Sequence, residues 1–194
     1  VKLATFPRRS SLARVLADIR TTMADALISA DAAGADDALD RWRKGLNDLM
    51  DIDKHYRRKE YLWFSCLERH GISGPSKVMW GKDDEVRSLL KTLAETLRGA
   101  EPEAAKLEHI AGTIGEAALG SVEEMIFKED NILIPMCLNT FTAEEWGEIH
   151  AQSPEYGWCL VDPGTAYVPP RAEAQEKTAT LPEGKAVVFP TGHL

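Results

Sequence analysis

From Leu39 to Leu67, nine residues recur at alternating spacings of three and four: Leu39, Trp42, Leu46, Leu49, Asp53, Tyr56, Glu60, Trp63 and Leu67. That rhythm holds one stripe of a helix facing one way for about eight turns. So long a stripe must lie against other helices, which commits the chain to a helical bundle. Seven of the nine are apolar or aromatic and two are acids. An acid on an inward face needs a partner, because burying a lone carboxylate is costly.

The remaining helices follow from the same reading. Leu12, Val15, Leu16, Ile19, Met23 and Leu27 mark a first helix from Ser10 to about Ala30. The second runs from about Asp36 to His70, with Gly71 past its end. "GISGPSKVMWG" reads as a loop. A third helix is expected from about Asp83 to Arg98, and a fourth from Pro102 to about Leu138, kinked or ended by Pro135. Thr142-Ala-Glu-Glu is a capping box that opens a short fifth helix up to about Ser153. These elements predict an all-α, up-down four-helix bundle with a short fifth helix over residues 1–153. Residues 154–194 hold six prolines and two short strand-like runs, "YGWCLV" and "KAVVFP". They read as an extended Pro-rich arm or linker.

The net charge of −8 argues against nucleic acid and anionic membranes as partners. No apolar run approaches the ~20 residues that span a bilayer, and no signal-peptide pattern opens the chain. Cys66, Cys137 and Cys159 are far apart and lack CxxC spacing, as expected of reduced thiols in a cytoplasmic protein. The start at Val1 rather than Met fits a piece of a longer chain.

Three helices direct a carboxylate inward. Glu60 lies on the stripe of the second helix. Glu129 lies on a stripe of the fourth: Ala118, Val122, Met125, Glu129, Ile132, Met136. Asp83 stands one turn before Val86 and Leu90 of the third, although Asp83, Asp84 and Glu85 are also the acids that suit a helix N-terminus. His55 sits at the edge of the seam, five residues before Glu60. That spacing puts the two about 140° apart on a regular helix, and a local π-bulge would draw them together. Acids and a histidine converging from several helices form the kind of set that holds iron or manganese in bundles. Asp53 suits a solvated opening of the seam, and His70 the dipole of its helix C-terminus. "RRKEYLWF" and "IFKEDNILI" form a weak internal repeat, a Lys-Glu pair before large apolar groups.

"HYRRKEYLWFSCLERHGI", "GPSKVMWGKDDEVR" and "EEMIFKEDNILIPM...FTAEEWGEI" resemble the hemerythrin-like, or HHE cation-binding, family, over roughly residues 5–162. The subfamily most resembled carries a PAS sensor module after the bundle, and "VVFPTGHL" is similar to the connector into it. The resemblance implies a four-helix bundle around a non-haem di-iron centre with histidine and carboxylate ligands. His55 matches the histidine of the second-helix HxxxE motif, whose glutamate position holds Lys59, with Glu60 next to it. Asp83 falls where many members have the third-helix histidine. Met125 and Glu129 fall on the fourth-helix HxxxE pair. In the first helix, Phe6 and Arg9 stand where the subfamily has histidines, so a full five-histidine oxygen-carrier site cannot be assembled.

The site residues expected from these readings are His55, Glu60, Asp83 and Glu129 as metal ligands, with iron as the cofactor. Glu60 and Glu129 are expected to face each other and share one positive partner, either the metal or Arg9. The function expected is a metal-binding sensory or regulatory module rather than an enzyme, partnered by a PAS-type module or by a second copy in a homodimer. The alternative is a metal-free bundle with a structural or protein-interaction role. A di-iron carboxylate oxidase is disfavoured by the shortage of matched ligand pairs.

Overall fold

The computed structural model describes residues 8–30 and 34–160, with side chains of the first helix from Leu12 onward. Five helical rods account for almost all of them, and no strand occurs among the described residues. Helix α1 is Arg8–Ser29. Helix α2 (35–69) is built from Ala35–Leu49, Ile52–Arg58, a π-helical stretch Lys59–Phe64, and Ser65–Arg69. Helix α3 is Gly74–Arg98. Helix α4 (104–140) contains π-helical stretches at Ala111–Gly115 and Glu129–Leu133. Helix α5 is Ala143–Tyr156.

Consecutive helices are neighbours, and α4 closes back on α1, giving the up-down bundle that the periodicity predicts. The core holds Leu16, Ile19, Leu39, Trp42, Leu46, Leu90, Leu93, Leu119 and Val122, each at most 2 % exposed. Gly115 permits one close approach. A Cβ there would stand 3.2 Å from Met23 Sδ and 3.4 Å from the Ile110 carbonyl, so a side chain would require the Met23 thioether to shift by a few tenths of an ångström. Helix α5 lies outside this four-rod core, against the second half of α2.

Helix ends follow local chemistry. After α2, Gly71 takes φ +77°. Its N–H donates to the Glu68 carbonyl, and Ile72 N–H to that of Leu67, closing a Schellman turn. The Arg43 guanidinium donates to the Leu97 and Ala100 carbonyls and so satisfies acceptors left over at the end of α3. Thr142 and Glu145 form the predicted capping box: Glu145 N–H donates to Thr142 Oγ1 and Thr142 N–H to Glu145 Oε2.

Four expectations require correction. Helix α3 starts at Gly74, not Asp83: Pro75 occupies its first turn, where the missing N–H costs nothing, so the presumed loop is helical. Asp83 is therefore a mid-helix residue and fully buried. Pro135 does not end α4, which runs on to Thr140, because the preceding π stretch already departs from regular hydrogen bonding. Ile132 is 53 % exposed instead of inward. The extra residue of that π turn shifts the phase by one, so Leu133 and Cys137 take the core positions. Finally, 157–160 is not a strand. Leu160 N–H donates to Asp51 at the break in α2, Cys159 is buried, and the Trp158 ring lies 4.7 Å from the Arg58 guanidinium. The run "KAVVFP" and the rest of the expected arm lie outside the described residues.

Candidate functional site

Midway along the bundle, α2, α3 and α4 each contribute buried charge. A regular α-helix would turn either Lys59 or Glu60 outward, since adjacent residues are ~100° apart. The π stretch opening at Lys59 widens that turn, and both become buried, at 1 % and 3 % exposure. The predicted π-bulge is thus present, but it does not bring His55 to Glu60. Each goes to a different helix.

Lys59 is the centre of the first group. Its ammonium donates to Asp83 Oδ1 at 2.7 Å and to Glu129 Oε1 at 2.5 Å, with its side chain wholly buried. The Tyr56 ring closes one side, 4.4 Å from Nζ to its centroid. His55 Nε2 meets the other Glu129 oxygen at 2.7 Å. Both oxygens of Glu129 are therefore taken. Burial works to raise the Glu129 carboxyl, yet His55 and Lys59 outweigh it and hold it at about 2.

Asp83 behaves differently. Burial lifts its carboxyl to about 8, against the pull of Lys59 and with the help of Glu129 and Glu60. Its second oxygen, Oδ2, has no hydrogen-bond partner among the described residues. These two shifts set opposite pH limbs. A raised pKa gives stability that is complete below ~4 and fades as pH climbs through about 8. The lowered Glu129 gives stability that is complete above ~4.5 and is lost toward pH 2. Asp83→Asn is expected to cost little at pH 6, since the amide replaces a neutral carboxyl, and to flatten the decline in thermal midpoint between pH 6 and 9. Glu129→Gln should be strongly destabilising at pH 6. Equal losses from the two changes would refute this assignment.

The second group is organised by Arg87 of α3. Its Nη1 and Nη2 donate in parallel to the two oxygens of Glu60, both at 2.9 Å. Nε reaches Asp53 at 2.7 Å, and Nη1 also reaches Asp84 at 2.8 Å. The fork geometry is what a guanidinium offers a carboxylate. Asp53 is half-buried and takes Arg57 as well, which matches its expected place at a solvated opening. An open cavity of about 610 Å³ lies above this group, lined by Tyr61, Trp80, Glu155 and Tyr156 among others. It stops at Arg87 and Glu60.

Of the four sequence-predicted residues, the structure brings His55, Asp83 and Glu129 to one centre and places Glu60 in the adjoining one. Among the described residues Glu60 and Glu129 share no partner: Arg87 holds one, Lys59 the other. The side chain of Arg9, the cation proposed from sequence, lies outside those described. Lys59 and Arg87 are the residues the reading missed. A lysine standing in the glutamate position of an HxxxE motif, on an inward seam, was the available signal for Lys59. Met125 is buried core.

A separate group lies at the end of the bundle. Cys66, His70 and Glu145 present Sγ, an imidazole nitrogen and a carboxylate oxygen all within 4.8 Å of one another. His70 thus faces Glu145 of α5, at 2.8 Å, rather than only its own helix end.

The sequence model of the hemerythrin HHE cation binding domain matches residues 12–137, about two thirds of the chain. The chain belongs to that family, and the all-α bundle is the architecture the resemblance implied. No curated protein matches it. The family is one of cation-binding helical domains. A di-iron centre does not fit the arrangement around Glu129. One cation, the Lys59 ammonium, already lies between the two carboxylates that would have to share a metal. Both oxygens of Glu129 are committed, and among the described residues His55 alone supplies an imidazole there. No helix among the described residues is long and apolar enough to cross a membrane.

Proposed function

We propose that this chain is a hemerythrin-family bundle in which the buried metal centre is replaced by an internal ion-pair network, serving as a regulatory or protein-interaction module rather than as an oxygen carrier or an enzyme. One observation carries the reading: a fully buried lysine ammonium bridges Asp83 and Glu129, where the family's pattern would have carboxylate and imidazole ligands around a shared metal. A cation is kept, but it is covalently part of the chain. It cannot be lost, exchanged or oxidised. What remains is a rigid bundle whose helices are pinned together at mid-height by charge, suited to holding a geometry for something attached to it. A PAS-type sensor module, indicated by the likeness of the "VVFPTGHL" ending to the connector into such a module, is the partner we favour.

The contrasting reading, an iron-binding sensor, draws its support from family membership and from His55, Asp83 and Glu129 lying together. It requires Lys59 to be expelled from a site where it is wholly buried. Elemental analysis of protein purified without chelator, repeated after aerobic loading with iron(II), separates the two. The expected result is well below one iron per chain attributable to this centre, with no absorption bands of an oxo-bridged di-iron unit. Two irons per chain with those bands, both lost in Glu129→Gln, would overturn the proposal.

A further inference from the structure

Away from the ion-pair centre, the last turn of α2 meets the first turn of α5. Cys66 and His70 stand four residues apart on one helical face, the spacing at which two side chains can hold one ion. Glu145 faces them from α5. The His70 ring nitrogen Nε2 is 2.8 Å from Glu145 Oε1 and 3.0 Å from Oε2. The Cys66 thiol also donates toward the same carboxylate, and burial followed by Glu145 pushes that thiol up. Glu145 itself stays below the usual carboxylate range: burial opposes this, but the Thr142 N–H and the protons of His70 and Cys66 prevail. Two protons from soft and borderline donors thus converge on one carboxylate. A divalent cation would replace them there.

We propose that Cys66, His70 and Glu145 form a zinc-type divalent cation site, with solvent as the fourth ligand, that fastens α5 to the end of α2. The donor set suits that ion: one thiolate, one imidazole and one carboxylate fill three corners of a tetrahedron, and the fourth opens to water. Charges balance, since thiolate and carboxylate together cancel a 2+ ion beside a neutral imidazole. Tetrahedral bonds of about 2.0–2.3 Å put ligand atoms about 3.3–3.7 Å apart. The present separations of 2.8 Å and up to 4.8 Å bracket this, so adjustments of about 1 Å suffice.

The surroundings support the ligands. Thr142 N–H donates to Glu145 Oε2 at 2.9 Å and leaves Oε1 turned to the site, the kind of outer contact that orients a ligating carboxylate. The Phe141 ring lies against His70, with centroids 6.4 Å apart and planes 29° from parallel. One positive group intrudes: Arg69 Nη2 is 3.4 Å from Cys66 Sγ and 3.8 Å from Glu145 Oε1. Its side chain is 58 % exposed and already within 3.7 Å of Glu148, so it can swing to that partner. His70 is one-third exposed, which gives the ion a path from solvent. Burial, and then the neighbouring Cys66 thiol, push the buried Cys137 thiol of α4 up to about 12.

Binding breaks the Cys66 S–H bond. The sulfur keeps the electron pair and donates it to the ion, and the proton leaves to solvent. Affinity should therefore rise about tenfold per pH unit between pH 6 and 8.

Cobalt(II) is the probe, because a thiolate bound to it gives a near-ultraviolet charge-transfer band. The whole chain, reduced and freed of metal, is titrated with cobalt(II) and then with zinc(II). One equivalent is expected to develop the band, and zinc to abolish it by displacement. Saturating zinc should raise the thermal midpoint by about 5 °C, since it binds only the folded site. Cys66→Ser and His70→Gln should each weaken binding more than tenfold, with Cys159→Ser as the thiol control that keeps it. Should Cys66→Ser fail to fold, as judged by circular dichroism, the surface change His70→Gln decides. Absence of a thiolate band at stoichiometric cobalt overturns the site. So does a band that survives Cys66→Ser, or one unaffected by both His70→Gln and Glu145→Gln. None of these outcomes touches the ion-pair reading, which is tested separately by iron loading at Glu129.

Discussion

Lys59→Met is expected to cost the fold about 3–5 kcal/mol, the loss that follows removal of one partner from a buried ion pair. In a chain of this size that lowers the thermal midpoint by roughly 10 °C. The methionine fits the space of the lysine stem, so the loss is electrostatic. Asp83 and Glu129 would face each other across a dry gap with no ammonium between them, and Glu129 would keep only His55. Adding Glu129→Gln to Lys59→Met should return much of the stability, because two neutral groups replace an unpaired charge. Lys59→Glu is the sharper probe. It supplies the glutamate that the resemblance has at this position and removes the cation that bars a metal. That variant should be the least stable of the three without metal and the one rescued by iron(II). A Lys59→Met protein as stable as the parent would mean that the ammonium does not hold the bundle together.

Arg87→Met should be the next most damaging change, at about 2–3 kcal/mol. It strands Glu60, whose side chain is 3 % exposed, and releases Asp53 and Asp84. The magnitude is set below that for Lys59 because Arg87 is itself 25 % exposed and part of its pairing is screened. Arg87→Lys should restore little: one ammonium cannot make the parallel pair of hydrogen bonds to Glu60. The double change Arg87→Met with Glu60→Gln should recover most of the loss. Chemical denaturation of the three variants measures all of this, provided that the denaturant slope is unchanged. If Arg87→Lys matches the parent, the fork geometry is irrelevant and simple charge accounts for the pairing.

The two groups share a design. Each holds acids from different helices around one basic side chain, and Tyr56 lies between them, its ring 4.4 Å from the Lys59 ammonium and 5.6 Å from the Arg87 guanidinium. Burial, followed by the Glu129 and Asp83 carboxyls, pushes the Tyr56 phenol well up, so it stays neutral throughout.

Periodicity determined which face of each helix is buried, except at the π turns. The stripe from Leu39 to Leu67, the inward Glu129, the Schellman glycine after α2 and the capping box at Thr142 are all local facts, fixed by propensity and spacing within a few turns. Glu60 and Glu129 were legible because a carboxylate on an apolar stripe has no local explanation, whereas Asp83 also suited a helix N-terminus. The partners were not legible. Hydrophobic spacing sets the rotation of a helix about its own axis, but not its axial register against its neighbours, and register decides which cation an acid meets. Lys59 and Glu60 are adjacent, so a regular helix allows only one of them inside. The π turn that admits both is stabilised by what each finds across the bundle, Asp83 and Glu129 for one and Arg87 for the other. Ile132 fails for the same reason: the π turn in α4 advances the phase by a residue, and no count along the chain reveals where that turn falls. Helix α3 begins nine residues before its expected start, which makes Asp83 a mid-helix group, and Arg87, one turn further on, faces Glu60. The chain thus specifies the helices and the sign of their inward charges; the packing of one helix on another decides that Lys59 meets Asp83 and Glu129, and Arg87 meets Glu60.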